Sequence, residues 1–173
     1  GAYWLGASYE KLNEDQLSKN FYSEAAMFPM TYYGQLAFNK INPGENFELK
    51  DESFFDKNYE NEFKKNKLIR HIILLKELNA TQMGKDIFKH LANLNIEKGS
   101  EVLAAQLATN VERYDFAIQI SKKASYEKRF YNQFNYPIIA APKIINNKIM
   151  PKSEVVLAII RQESEFDKSA NSW

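Results

Sequence analysis

The sequence predicts an all-α protein, an α-solenoid of short helices packed on their sequence neighbours. Three observations carry this. Apolar residues between Lys67 and Ala124 recur at helical spacing. Residues 60–125 hold four such helices, separated by polar joints of two to six residues. No segment alternates apolar and polar residues with period two for long enough to make a strand.

Residues 1–29 read as a helix pair, with Leu5, Gly6 and Tyr9 on the first helix and Tyr22 and Ala25 on the second. Asn13 to Asp15 supply the turn and Pro29 ends the unit. Gly6 and Ala25 are the positions at which the two helices are expected to touch closely. Thr31 caps a third helix, Tyr32 to Lys40, with Tyr33, Leu36 and Ala37 on its buried side. Asn42-Pro43-Gly44 is a turn. Residues 45–59 are polar with aromatic islands at Phe47, Phe54, Phe55 and Tyr59, and a short helix is expected from Glu60 or Asn61. Lys67 to Leu78 carries the stripe Leu68, Ile72 and Leu75. Thr81 caps the next helix, with Met83, Ile87, Leu91 and Leu94 inward. Gly99-Ser100-Glu101 opens another, and Glu112 to Ala124 forms the last of the series, with Tyr114, Ala117, Ile118 and Ser121 on one face.

Tyr126 to Tyr136 is dense in aromatics, and Pro137, Pro142 and Pro151 then break the chain, with Asn146-Asn147 as a turn. These aromatics serve either to seal one domain against the next or to stack on sugar rings. The domain boundary is expected at 133/134. A final helix covers Ser153 to Ser164, with Ser153 as its N-cap and Glu154 suiting the positive end of its dipole. Its six uninterrupted apolar residues imply that most of it is buried. It ends abruptly in Arg161-Gln162-Glu163-Ser164. A carboxylate at the polar end of a buried helix is where desolvation can make a proton donor near neutrality.

Bulk properties narrow the function classes. The 173 residues carry 23 Lys plus Arg against 22 Asp plus Glu, so no global field favours nucleic acid or an anionic membrane. The absence of cysteine excludes disulfides and thiol chemistry. No apolar run approaches the ~20 residues of a membrane span. His71 and His90 have no cysteine partners and no H-E-x-x-H spacing, so no zinc site is expected, and no glycine-rich phosphate loop exists. No metal or cofactor is assigned. Ser164 has no histidine base in a known triad pattern.

Glu163-Ser164, Phe166, Ala170 and Ser172 give E-S-x-F-x-x-x-A-x-S. With the apolar helix before it, this stretch of about twenty residues resembles the start of the catalytic domain of soluble lytic transglycosylases. These lysozyme-like bacterial enzymes cleave peptidoglycan without water. A second resemblance lies upstream. A-Y-W-L-G at 2–6 and Y-Y-G-Q-L-A at 32–37 resemble the superhelical domain that precedes the catalytic domain in the same family. Residues 1–29 also match part of the tetratricopeptide pattern, although Trp4 is out of register.

The resemblance implies an α-superhelix of tetratricopeptide-like repeats over residues 1–133, followed over 134–173 by a linker and the truncated beginning of a lysozyme-like domain. It implies Glu163 as the single catalytic acid/base and Ser172, nine positions on, as a substrate-binding residue beside it. On a helix Glu165 would lie about 200° around from Glu163, so the two would not share a site. A one-carboxylate mechanism is the natural fit. Arg161 is assigned a structural role. The substrate implied is peptidoglycan glycan strands, the compartment the periplasm, and the helical repeats offer surface for cell-wall protein partners. Both ends read as cuts, and the family's Gly-Leu-Met-Gln segment is not reached before Trp173, so the 173 residues by themselves are expected to be inactive. The alternative is a non-catalytic helical-repeat scaffold that binds protein or glycan. The reading frame beyond Trp173 discriminates: a Gly-Leu-Met-Gln-like continuation supports the enzyme.

Overall fold

The computed structural model describes residues 1–49, 51, 54–140, 144–145, 148–149 and 151–171. Among them the chain is all-helical but for one small hairpin. The helices are α1 (Ala2–Lys11), α2 (Asp15–Ala26), α3 (Tyr32–Ile41), α4 (Lys57–Lys64), α5 (Lys67–Glu77), α6 (Lys85–Ala92), α7 (Ser100–Asn110), α8 (Tyr114–Tyr126), α9 (Asn132–Asn135) and α10 (Ser153–Ser164). The hairpin pairs β1 (Ile144–Ile145) with β2 (Lys148–Ile149), Ile144 opposite Ile149. The expected turn at Asn146-Asn147 lies outside the described residues. Two compact units divide the chain: residues 1–50 with 125–130, and residues 51–124 with 131–173.

In the first unit α1, α2 and α3 pack on one another around Tyr22, Ala25 and Ala37. Gly6 is the close-contact position: a Cβ there would lie 2.8 Å from the Tyr22 ring. The Ser18 hydroxyl donates to the Gly6 carbonyl at 3.0 Å, adding a polar bond at the same crossing. Glu10 then ties the three helices together. It accepts from the Tyr22 hydroxyl at 2.7 Å and from Lys40 Nζ at 2.8 Å. Thr31 caps α3 as expected, its hydroxyl accepting from the Gly34 N–H at 3.0 Å. Tyr33 departs from expectation. It is 44% exposed, because the first turn of α3 packs through Gly34, and its ring lies among those of Tyr3, Trp4 and Tyr32.

The second unit is built on α7, which contacts α4, α6 and α9. Ala104, Ala105 and Ala108 are fully buried and let neighbouring helices approach its axis. Tyr59, Phe63, Ile72, Phe88, Leu91 and Phe116 fill the space around it. Several starts differ from the sequence reading. The α4 helix begins at Lys57, capped by Asp56, whose carboxylate accepts from the Asn58 N–H at 2.7 Å. Thr81 opens a 3₁₀ turn, Thr81–Gly84, and α6 starts only at Lys85. That turn shifts the helical phase, so Met83 is 72% exposed, while Leu91 stays in the core. Leu94 is exposed beyond the end of α6. Ser100 joins α6 to α7 by donating to the Ala92 carbonyl at 2.6 Å.

Gly99 precedes α7 with φ +88°, and a Cβ there would meet the Phe54 carbonyl oxygen at 2.5 Å. Gly44 has nearly the same φ, +87°, in open space. Gly99→Ala should therefore cost at least about 2 kcal/mol and Gly44→Ala about 1 kcal/mol. Urea unfolding of the two variants checks the difference.

The Glu10 carboxyl is held below its ordinary range by the Lys40 hydrogen bond and then by Tyr22. A depressed carboxylate contributes stability above its unfolded pKa, and that contribution is lost as pH falls through the folded value. Glu10→Gln should lower the melting temperature at pH 7, and the gap to wild type should close as pH falls below about 4. Thermal melts across that range give the measurement.

Candidate active site

The α10 helix follows Pro151, whose ring disfavours helix at the preceding residue. Its N-cap is Lys152 and not the expected Ser153, which already lies inside the first turn. The Lys152 carbonyl accepts from the Val155 and Val156 N–H groups at 3.0 and 3.2 Å. Ser153, Val156, Leu157, Ile160, Arg161 and Ser164 are half-buried at positions spaced three and four apart. The opposite side holds Val155, 49% exposed, and Ile159, 56% exposed, with Glu163 one further turn along. No residue of α10 is fully buried. The expectation of a mostly buried helix is corrected: its apolar residues run around the whole circumference, and only one side is packed.

Three contacts hold that side. Arg161 Nε donates to the Asn135 carbonyl at 2.6 Å, and its Nη2 reaches Asn135 Oδ1 at 3.3 Å. The same guanidinium lies 4.6 Å from the Tyr136 ring centroid. Asn135 is wholly buried, so this anchor is shielded from solvent. Past Ser164 the chain reverses through Glu165 (φ +50°) and Phe166 (φ +64°), both left-handed. The reversal drops the Phe166 ring into the unit, 8% exposed and 6.4 Å from the ring of Tyr114. Arg161 is thus structural, as its sequence position implied.

The carboxylates of the terminal stretch separate by occupation. Glu165 accepts from Lys122 Nζ at 2.8 Å. Asp167 accepts from the Ser169 hydroxyl at 2.7 Å and the Ser169 N–H at 2.9 Å. Those two donors hold its carboxyl below the ordinary range, with burial opposing them. Glu163 has no ion-pair or hydrogen-bond partner among the described residues and faces solvent. The Ser164 hydroxyl donates to the Ile160 carbonyl at 3.1 Å, so it is committed to its own helix. Ser172 lies outside the described residues.

Glu163 lines a shallow groove of about 450 Å³ with Glu154, Val155, Ala158, Ile159 and Gln162. All six side chains belong to α10, so no other described element forms an opposite wall. Among the described residues no cluster of acidic or histidine side chains could hold a metal ion. His71 and His90 lie apart in sequence, and His71 Nδ1 engages the Lys67 carbonyl at 2.9 Å. No described helix is long and apolar enough to cross a membrane. Of the aromatics between Tyr126 and Tyr136, Tyr131 and Phe134 join the core, whereas Tyr126 is 68% exposed. Nothing in the sequence signalled the Lys122–Glu165 pair, whose members stand 43 residues apart. Comparison with protein-family models, with curated proteins and with solved structures finds no match to this chain.

The outer face of α10 has only its own helix beneath it. Amides 155–162 should therefore exchange with solvent faster than amides 68–78 of α5, and Arg161→Ala should accelerate them further while leaving α5 unchanged. Hydrogen exchange followed by mass spectrometry checks both.

Proposed function

We propose that this chain belongs to a peptidoglycan lytic transglycosylase, with residues 1–133 as its superhelical part and residues 134–173 leading into a lysozyme-like catalytic domain. One observation carries the reading. The Glu-Ser pair of the motif falls on the last turn of α10, with Glu163 on the open face and every neighbouring carboxylate of the stretch occupied elsewhere. That leaves a carboxyl group free to meet substrate on a helix held from behind, which is what the reading asks of this segment.

In the proposed reaction Glu163, protonated, gives its proton to the oxygen bridging N-acetylmuramic acid and N-acetylglucosamine. The C1–O bond breaks and the N-acetyl group assists at C1. The Glu163 carboxylate then takes the proton of the muramoyl C6 hydroxyl, whose oxygen closes onto C1 as a 1,6-anhydro ring. One side chain serves as acid and then as base, and neither water nor a metal enters. Ser172 would orient Glu163 or a substrate amide. The substrate places the enzyme in the periplasm of a bacterium, with glycan strands as its partner. A general acid needs walls that exclude water and hold the substrate, and α10 alone supplies one side, so this reading assigns no turnover to the 173 residues by themselves.

The test uses the natural reading frame, expressed at its own length, with purified peptidoglycan as substrate. Mass spectrometry should find 1,6-anhydromuropeptides from the wild type. Glu163→Gln should lower their rate of release by at least about a thousandfold, a loss of about 4 kcal/mol of transition-state stabilisation. Its melting temperature should stay nearly unchanged, because Glu163 contacts nothing that holds the fold. Undiminished anhydro product from the Glu163→Gln protein would overturn the assignment.

A further inference from the structure

A second concavity in the second unit lies away from α10, between α6 and α8, and its lining has two different characters. Phe88, Ala92, Phe116 and Ile120 form its apolar part, all of them buried core residues. Lys85, Lys89 and Lys123 also line it, and all three are exposed. The cavity has about 190 Å³ of room. An apolar protein cavity of about 150 Å³ is enough to take up benzene.

The lining carries three lysines against one carboxylate, and Lys85 also acts on the carboxylate of Asp167. Lys123 Nζ donates to the neutral side chain of Asn93 at 3.1 Å, so its charge has no counter-ion in that contact. Lys89 stands 4.0 Å from Asp86, whose side chain is 96% exposed, a pair that solvent screens almost completely. The one acidic lining residue, Glu101, is 2% exposed and accepts from the Tyr131 hydroxyl at 3.1 Å, a neutral donor that leaves its charge in place beneath the lysines. Three exposed lysines and one buried carboxylate thus surround a small concavity whose floor is the edge of the apolar core.

We infer that the cavity between α6 and α8 binds a small amphipathic anion: a carboxylate head at the lysines and an apolar body of about ring size against Phe88, Phe116 and Ile120. The volume sets the size of the body, and the lysines set the sign of the head. A neutral hydrophobe would leave the lysines unused, and a bare anion would gain only screened surface contacts. The site is independent of the transglycosylase reading, because it lies on α6, α7 and α8 and contains no residue of α10.

The experiment is a titration of the isotopically labelled chain followed by NMR, with 3-phenylpropionate as the probe. Its amide serves as the neutral control and acetate as the head alone. Saturable shifts are expected at Phe88, Ala92 and Ile120, with a Kd on the order of 1 mM. The amide should bind at least about tenfold more weakly, and acetate should leave those resonances unmoved. The double variant Lys89→Glu/Lys123→Glu changes only exposed side chains and should weaken the acid at least about tenfold. Ala92→Leu fills the apolar part and, with its fold checked by circular dichroism, should abolish binding. The inference is overturned if the amide binds as tightly as the acid, if folded Ala92→Leu binds like wild type, or if no shift at these residues saturates.

Discussion

The candidate site depends on one contact, the guanidinium of Arg161 against the backbone carbonyl of Asn135. The α10 helix has no fully buried residue, so area burial alone gives it little orientation. Asn135, by contrast, is wholly buried beside Phe134, itself part of the core around α7. A charge-assisted bond to a fixed carbonyl, with the guanidinium against Tyr136, sets the rotation of α10 about its own axis. With Arg161 turned inward, Glu163 must point outward, because two residues on a helix are about 200° apart. The outward direction of the proposed catalytic group follows from where its neighbour is tied down.

The second constraint is the chain reversal after Ser164. Two consecutive left-handed residues that are not glycine cost roughly 1–2 kcal/mol each. Burying the Phe166 ring returns about 2–3 kcal/mol, close to the same amount. The ion pairs Lys122–Glu165 and Lys168–Glu112 flank the turn. Each is exposed enough to be worth at most about 1 kcal/mol, so they tune the reversal and do not create it. Phe166 is also the phenylalanine of the E-S-x-F stretch. The packing gives that phenylalanine a physical role, which is to hold the end of the Glu helix against the rest of the unit.

Much of the helical order was legible in the sequence, because 3.6-residue spacing survives tertiary context when both core and surface are present. Gly6 announced a close crossing and Tyr22 fills it; Thr31 announced a cap and accepts the Gly34 N–H. The errors have local causes. Thr81 has the chemistry of a cap, but the chain spends its next residues in a 3₁₀ turn, and Met83 falls out of phase. Tyr33 looked like a core aromatic, yet the small Gly34 takes the packed position and leaves the ring outside. For α10 the uninterrupted apolar run concealed which side would be packed. Arg161 decides that, and its partner Asn135 is 26 residues away with no pattern to mark it. Glu163 at the polar end of a helix was readable from spacing alone; its lack of partners was not, nor was the capture of Glu165 by Lys122, 43 residues away.

The distribution of carboxylates bears on which glycosidic chemistry α10 could serve. Hydrolysis by the ordinary routes places a second carboxyl about 5–9.5 Å from the acid, to attack C1 or to activate water. Besides Glu163, the groove along α10 holds Glu154, but nine residues of helix separate them, about 13 Å along the axis. Glu165 and Asp167 are nearer in sequence, yet the left-handed reversal carries them away from the open face and onto lysine and serine donors. Any second carboxylate would have to come from residues other than those described on and around α10. Within this stretch Glu163 is the carboxylate at the end of α10 that no described donor engages, and the proposed one-carboxylate reaction asks for no more than that.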